Sequence, residues 1–309
     1  MSQHTKRYNA FSDELKRVFG CRVQRISVDA GFSCPNRDGT LDTRGCIFCG
    51  GHGSGSYGIL RELSIAGQIE DGKEVMRRKY KASQFMAYFQ AYSNTYAALD
   101  DLRRLYGEAL AVPDVVGLII ATRPDCLSDE VLGYLAELSS HTYLWLELGL
   151  QSMHDSSLTL INRHHNHSCS IDTIQRARSR GVRVCAHVIL GLPGETREEM
   201  LAMASELNRL GVDGVKLHLL HVMKGTELAE MYGRGEVRML ERDEYAGLVC
   251  DFLQLLNPRI LIHRLTGDGG HDNLIAPLWS LKKFEILNLI DGELERRGTR
   301  QGSRFGGED

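Results

Sequence analysis

Six short apolar runs, each separated from the next by a helix-patterned segment, constrain this chain more than any other feature. They cover residues 23–28, 85–89, 115–121, 143–150, 182–190 and 215–220. Helical patterns cover about 64–80 and 98–110. Further helices open at Ser128-Asp129-Glu130, with Ser128 or Asp129 as N-cap, and at Thr196-Arg197-Glu198-Glu199. Gly181 and Gly211 read as helix stops. The first run alternates and the later ones are largely continuous in apolar character; such runs alternating with helices imply a parallel sheet with helical crossovers. Six units are fewer than the eight of a closed barrel, so an open partial barrel and a doubly wound sheet both satisfy the pattern. Either puts the ligand site at the carboxyl ends of the strands. Cys34, Gln90, Arg123, Gln151, His187 and His218 fall in or just beyond those ends.

Residues 6–20 read as a short amphipathic helix ahead of the first run. Phe11, Leu15, Val18 and Phe19 lie near one face, and Gly20 is the stop. Between the first run and the first crossover helix sit Cys34, Cys46 and Cys49, spaced C-x11-C-x2-C and followed by the glycine-rich stretch from His52. Cysteines in such a loop hold an iron–sulfur cluster or zinc. Three thiolates leave one iron of a four-iron cluster open to a non-protein ligand. With His52 the same loop becomes a Cys3His zinc set. Zinc knuckles usually stand apart as tiny domains, whereas this loop is spliced into a large α/β array. That favours the cluster, but spacing alone leaves both readings standing.

Cys21, Cys126, Cys169, Cys185 and Cys250 read as free thiols, with Cys126 at a strand end the one to check for chemistry. Eight cysteines in 309 residues without an apolar leader do not read as a disulfide framework. A net charge of −3 gives no global pull toward nucleic acid or membrane, although it leaves room for a local basic patch. No run of about 18 apolar residues is present, so a spanning helix is not expected.

The motifs together resemble the YhcC/YtqA family of radical S-adenosylmethionine (SAM) proteins. That family is grouped with the Elongator catalytic subunit and the oxygen-independent coproporphyrinogen oxidase. The resemblance rests on Cys34-Pro35-Asn36-Arg37-Asp38-Gly39-Thr40, on Phe48 before the last cysteine, and on Gln90-Ala91-Tyr92-Ser93-Asn94. It continues through Glu147-Leu148-Gly149-Leu150-Gln151-Ser152, His187 to Glu195, Lys216-Leu217-His218 and Arg264 to Asp268. It covers about residues 6–302. The first cysteine gap is longer than the three residues usual among radical SAM enzymes, and is typical of this family.

The resemblance implies a partial (β/α)6 radical SAM barrel with a short N-terminal helix and a C-terminal helical extension. The expected divisions are 1–22, 23–226 and 227–309, the last ending in a mobile tail from Gly298. It implies a [4Fe-4S] cluster on Cys34, Cys46 and Cys49. SAM chelates the open iron and is cleaved reductively to a radical that takes a substrate hydrogen.

For the cofactor-binding residues it implies Phe48 near adenine and Gln90 facing the methionine amino group. The second match is positional only, because no Gly-Gly-Glu is present. Glu147 is expected either to bind SAM or to pair with an arginine, since an isolated buried charge is costly. Gln151, with Ser152, is assigned to ribose hydroxyls. Arg163 is assigned to the methionine carboxylate, which suits its fork. His187 precedes a Gly191-Leu192-Pro193-Gly194 turn whose glycines let backbone approach adenine. Loop packing for Phe48, a surface arginine and a core histidine are the plain alternatives. His164, His165 and His167 are expected to face solvent; His218, His221 and Lys224 are expected to face substrate. No residue is singled out as catalytic.

The resemblance further implies a cytoplasmic enzyme with a reductant protein such as flavodoxin or ferredoxin, and with transfer RNA (tRNA) as a partner in wobble-uridine modification. Arg77, Arg78, Lys79, Lys81, Arg296, Arg297, Arg300 and Arg304 are the candidate phosphate contacts, although a solvated charged face is the commoner meaning. A radical enzyme acting on a small metabolite and a non-catalytic zinc module are the alternatives.

Overall fold

The computed structural model describes residues 6–50, 59–267 and 272–306. His52 and Asp268 lie outside them. The chain begins with α1 (Phe11–Phe19) and then alternates: β1 (Val23–Val28), α2 (Ile65–Tyr80), β2 (Gln84–Phe89), α3 (Leu99–Ala111), β3 (Val115–Thr122), α4 (Asp129–His141) and β4 (Tyr143–Gln151). It continues with α5 (Asp155–Leu160), α6 (His167–Ser179), β5 (Arg183–Leu190), α7 (Arg197–Leu210) and β6 (Gly214–Leu219). The last third holds β7 (Val222–Met223), α8 (Glu227–Gly233), α9 (Arg242–Leu255), β8 (Leu261–Arg264), β9 (Leu274–Ala276) and α10 (Lys283–Arg296).

Local chemistry sets the helix starts. The side chains of Ser64, Ser128 and Asn166 accept backbone N–H groups at the heads of α2, α4 and α6. Thr196 and Glu199 form a reciprocal capping box on α7.

The main sheet is parallel, in the order β1-β2-β3-β4-β5-β6-β8. Six strands are those read from sequence, and β8 is a seventh. It is four residues long and half polar, too short to give a periodic signal. It comes from the segment expected to be helical, and α9 is its crossover.

Alternation along the strands separates two faces. Leu144, Leu146, Leu148 and Leu150 of β4 point outward into the main core, among residues of the crossover helices. Trp145 points inward and meets Val23, Met86, Tyr88, Ile119 and Cys185, together with Phe11 and Leu15 of α1. Side chains from β1 to β5 thus converge on one helix, so the sheet curls into a partial barrel with α1 closing its lower end.

The N-terminal helix begins at Phe11, later than the expected residue 6. The residues before it cover the free edge of β8 instead: Ala10 bridges Ile262, and the Ile262 N–H donates to the Asn9 carbonyl at 2.7 Å. The expected mobile tail is also corrected for residues 298–306. The Gln301 amide donates to the Asn257 and Ile260 carbonyls at 2.8 and 2.9 Å, and its Oε1 accepts from the Asn9 N–H at 2.8 Å. Buried at 5% exposure, Gln301 fastens both ends of the chain to the foot of β8.

Candidate metal centre and barrel lumen

The loop after β1 carries the three cysteines. Cys34 and Cys46 are buried, Cys49 is half-buried, and none is disulfide-bonded. Backbone turns tighten the loop at each cysteine: the Arg37 N–H donates to the Cys34 carbonyl at 2.8 Å, and the Cys49 N–H to the Cys46 carbonyl at 2.9 Å. Gly45 has a φ of 80° and lies against the Arg37 side chain, where a Cβ would fall 2.7 Å from its Nε. That close approach lets the Arg37 guanidinium donate to the Cys49 carbonyl. Burial and the nearby Cys46 push the Cys49 thiol up to about 11.

Two side chains reach the Cys46 sulfur: Asn36 Nδ2 and Arg163 Nη1, each 3.5 Å from Sγ. Arg163 sits between α5 and α6 and is only 7% exposed. Its Nη2 donates to the Gly149 carbonyl at 2.7 Å, and its Nε donates to His165 Nε2 at 2.9 Å. No carboxylate pairs with it among the described residues. Burial and the adjacent Arg163 pull His165 down to about 3, so its ring stays neutral and accepts. Arg123, at the end of β3, forks onto Asp125 at 2.9 and 2.7 Å and donates to the Arg163 carbonyl at 2.8 Å. Cys34 and Cys46 are within its electrostatic reach, and its Nη1 is buried without a hydrogen bond. Neighbouring Cys126 is buried, which lifts its thiol to about 12.

Below this loop the lumen holds a polar layer. Glu147 of β4 is wholly buried. Its Oε2 accepts from Lys216 of β6 and from His187 Nε2 of β5, the latter at 2.9 Å. Lys216 also donates to the Tyr88 hydroxyl at 3.0 Å. Burial pushes the Glu147 carboxyl up, but Lys216 and His187 outweigh it and hold it well below the usual range. Burial brings Lys216 down to about 8 and His187 to about 4. His263 of β8 stacks on Phe11 at 3.8 Å and lies 3.5 Å from Glu147 Oε1. Arg25 of β1 and His218 of β6 face the same space.

Of the residues singled out from sequence, Cys34, Cys46, Cys49 and Arg163 gather at the loop. Phe48 is half-buried, packed on the apolar cluster that includes Ile47, Leu158, Ile161 and Leu192. Gln90 ends β2, with its amide donating to Ser27 Oγ at 2.7 Å. Gln151 ends β4 with a φ of 71°. Ser152 donates to Glu195 of the Gly-Leu-Pro-Gly-Glu turn. Glu147 and His187 lie together, deeper, with a lysine rather than an arginine as ionic partner.

The solvent-facing expectation holds for His164 alone. His165 accepts from Arg163, and His167 Nε2 meets Glu206 at 2.7 Å, because the polar insert folds back onto the barrel. Lys224 donates to the Asp272 carbonyl at 2.9 Å. Arg77, Arg296 and Arg297 already pair with acids. Sequence reading placed Arg123 at a strand end without a role, and passed over Arg25. A cation inside an apolar strand was the signal available.

A profile described as the Radical SAM superfamily matches residues 43–207, and one described as the Radical_SAM C-terminal domain matches 212–296. The uncharacterized protein YtqA of Bacillus subtilis is 45% identical over 304 residues, covering 98% of this chain and 94% of YtqA. This chain belongs to the radical SAM superfamily and, within it, to the YhcC/YtqA family. A tRNA uridine(34) acetyltransferase of Methanocaldococcus infernus is 29% identical over 189 residues, which is 60% of this chain and 34% of that protein. The solved structure of archaeal Methanocaldococcus infernus Elp3 shares the fold, with a TM-score of 0.68 at 19% identity. It covers 90% of this chain, and the chain spans 64% of that structure. No helix among the described residues is long and apolar enough to cross a membrane.

The superfamily's cofactors, a [4Fe-4S] cluster and SAM, are those of this chain. The loop fits them. Its thiols are unbridged, and N–H donors are directed at a sulfur, as a cluster thiolate requires. Among the described residues, the trio whose ligand atoms close to within 4.8 Å of one another is Glu147, Cys185 and His263.

Proposed function

We propose that this chain carries out a radical step in the modification of the tRNA wobble uridine. The observation that carries this reading is the likeness to the tRNA uridine(34) acetyltransferase over 60% of the chain. When bound, the cluster and SAM supply a radical that takes a hydrogen atom from substrate. Cys34, Cys46 and Cys49 hold the cluster. Arg163 offers a guanidinium free of carboxylates to the methionine carboxylate. Phe48, Gln90 and Gln151 border the same end of the barrel. Glu147 holds Lys216 and His187 in one arrangement below, and α1 shuts the far end against water. Electrons come from a flavodoxin- or ferredoxin-type protein in the cytoplasm.

A small-metabolite substrate is the second reading. The net charge of −3 and the prior pairing of Arg77, Arg296 and Arg297 favour it. Nucleoside profiling of tRNA from a deletion strain separates the two. A changed wobble uridine is expected, and an unchanged profile under both oxic and anoxic growth sinks the tRNA reading. Anaerobic reconstitution tests the chemistry. Iron and sulfide are expected to give a cluster that cleaves SAM and is lost in Cys46→Ala. Zinc binding at one equivalent without any cluster would refute it.

A further inference from the structure

Among the described residues, the lumen of the barrel sets Arg25 and Lys216 against one carboxylate, Glu147. Glu147 and Lys216 form a sealed pair, at 0% and 1% side-chain exposure, and cancel one another. Arg25 comes from the opposite wall, on β1. It makes no hydrogen bond and no ion pair among the described residues, and its Nη1 is buried without a partner. Its neighbours include a second cation, Arg264, besides Glu147, Tyr88 and Cys185. Arginine does not escape by losing its proton, so the charge stays. An uncompensated charge in such surroundings costs free energy. Unlike the sealed pair below it, Arg25 is partly accessible, as are His187 and His218. His218 Nε2 is likewise buried without a hydrogen bond, and the ring lies 5.1 Å from His187. His218 shares Arg264 and Glu147 as electrostatic neighbours with Arg25.

We propose that Arg25, with His218 beside it, receives a carboxylate carried by the substrate. One unpaired guanidinium balances one negative charge, and its fork matches two coplanar oxygens. A neutral imidazole adds a donor without adding charge. The proposal rests on the reading that substrate enters the lumen of a radical SAM barrel, and it holds for a modified base or a metabolite alike.

The test uses the cluster-reconstituted protein, with acetate and inorganic phosphate as probes at constant ionic strength. Acetate is expected to raise the unfolding midpoint of the wild type by about 3 °C and to leave Arg25→Met unmoved. Without anion, Arg25→Met is expected to be at least as stable as the wild type, because it removes an unpaired buried charge. Equal acetate responses of the two proteins would overturn the proposal. A response to phosphate and none to acetate would overturn the carboxylate assignment. If Arg25→Met does not fold, Arg25→Lys decides: a reduced acetate response supports the fork, and an undiminished one refutes it. These outcomes are independent of the tRNA profile, so either reading can fail without the other.

Discussion

Arg163 spans from the cysteine loop to the end of β4, with Nη1 3.5 Å from the Cys46 sulfur and Nη2 2.7 Å from the Gly149 carbonyl. One guanidinium thereby ties the cysteine loop to the sheet, and among the described residues no carboxylate forms an ion pair with it. Arg163→Ala is expected to weaken SAM binding about 10- to 100-fold, the worth of one charge-assisted contact. Iron content is expected to stay at the wild-type level. Equilibrium dialysis with SAM, beside iron analysis, checks both. Unchanged affinity would return Arg163 to a purely structural role.

The Glu147–Lys216 pair is wholly enclosed. Removing one partner leaves the other charge buried, so Glu147→Gln is expected to cost about 3–5 kcal/mol in urea unfolding. Replacing both, with Glu147→Met and Lys216→Met, is expected to recover most of that loss. If the double variant is no more stable than the single one, the loss comes from packing and not from the stranded charge.

Acid stability follows from the histidines around that pair. Burial lowers His187 and His263 from 6.5 to about 4 in the folded chain. As pH falls from about 6.5 to 4, the unfolded chain binds a proton at each position and the folded chain does not. Stability is therefore present above about pH 6.5 and falls by about 1.4 kcal/mol per pH unit for each histidine below it. Urea titrations between pH 7 and 4.5 read the slope, and His263→Phe, which keeps the stack on Phe11, is expected to make it shallower. A slope unchanged by that substitution would show that His263 titrates normally.

Gln301 makes three buried or half-buried hydrogen bonds that join the N-terminal segment, the approach to β8 and the C-terminal turn. Gln301→Ala leaves carbonyls and an N–H unpaired and is expected to cost about 1–3 kcal/mol. Hydrogen exchange should speed first at Ile262, whose N–H is held by Asn9. Unaltered exchange there would mean that the two ends hold independently.

Much of this molecule was legible without coordinates. The six βα units, the cap at Ser128 and the Cys34–Cys49 loop are local signals. Each is written within a few residues of chain, by apolar period, capping oxygen or ligand spacing. The short strand β8 was not legible. Its four residues become a strand only because β6 offers a free edge and Asn9–Ala10 covers the other side. The tail from Gly298 read as loose because its composition is that of a loop, and partners far off in sequence hold it: Asn9, Asn257 and Ile260 for the Gln301 side chain, Leu253 for Gly302 and Gln254 for Arg304.

The sequence by itself determined a parallel α/β array, the order of its units and a loop of three clustered cysteines after the first strand. The tertiary structure decided which side chains share the lumen. Glu147 found Lys216, 69 residues away, and Arg25 was left without a counter-ion. Among the described residues that mismatch is Arg25's; such pairings depend on how a curled sheet brings distant strands face to face, and burial then makes each one energetically large.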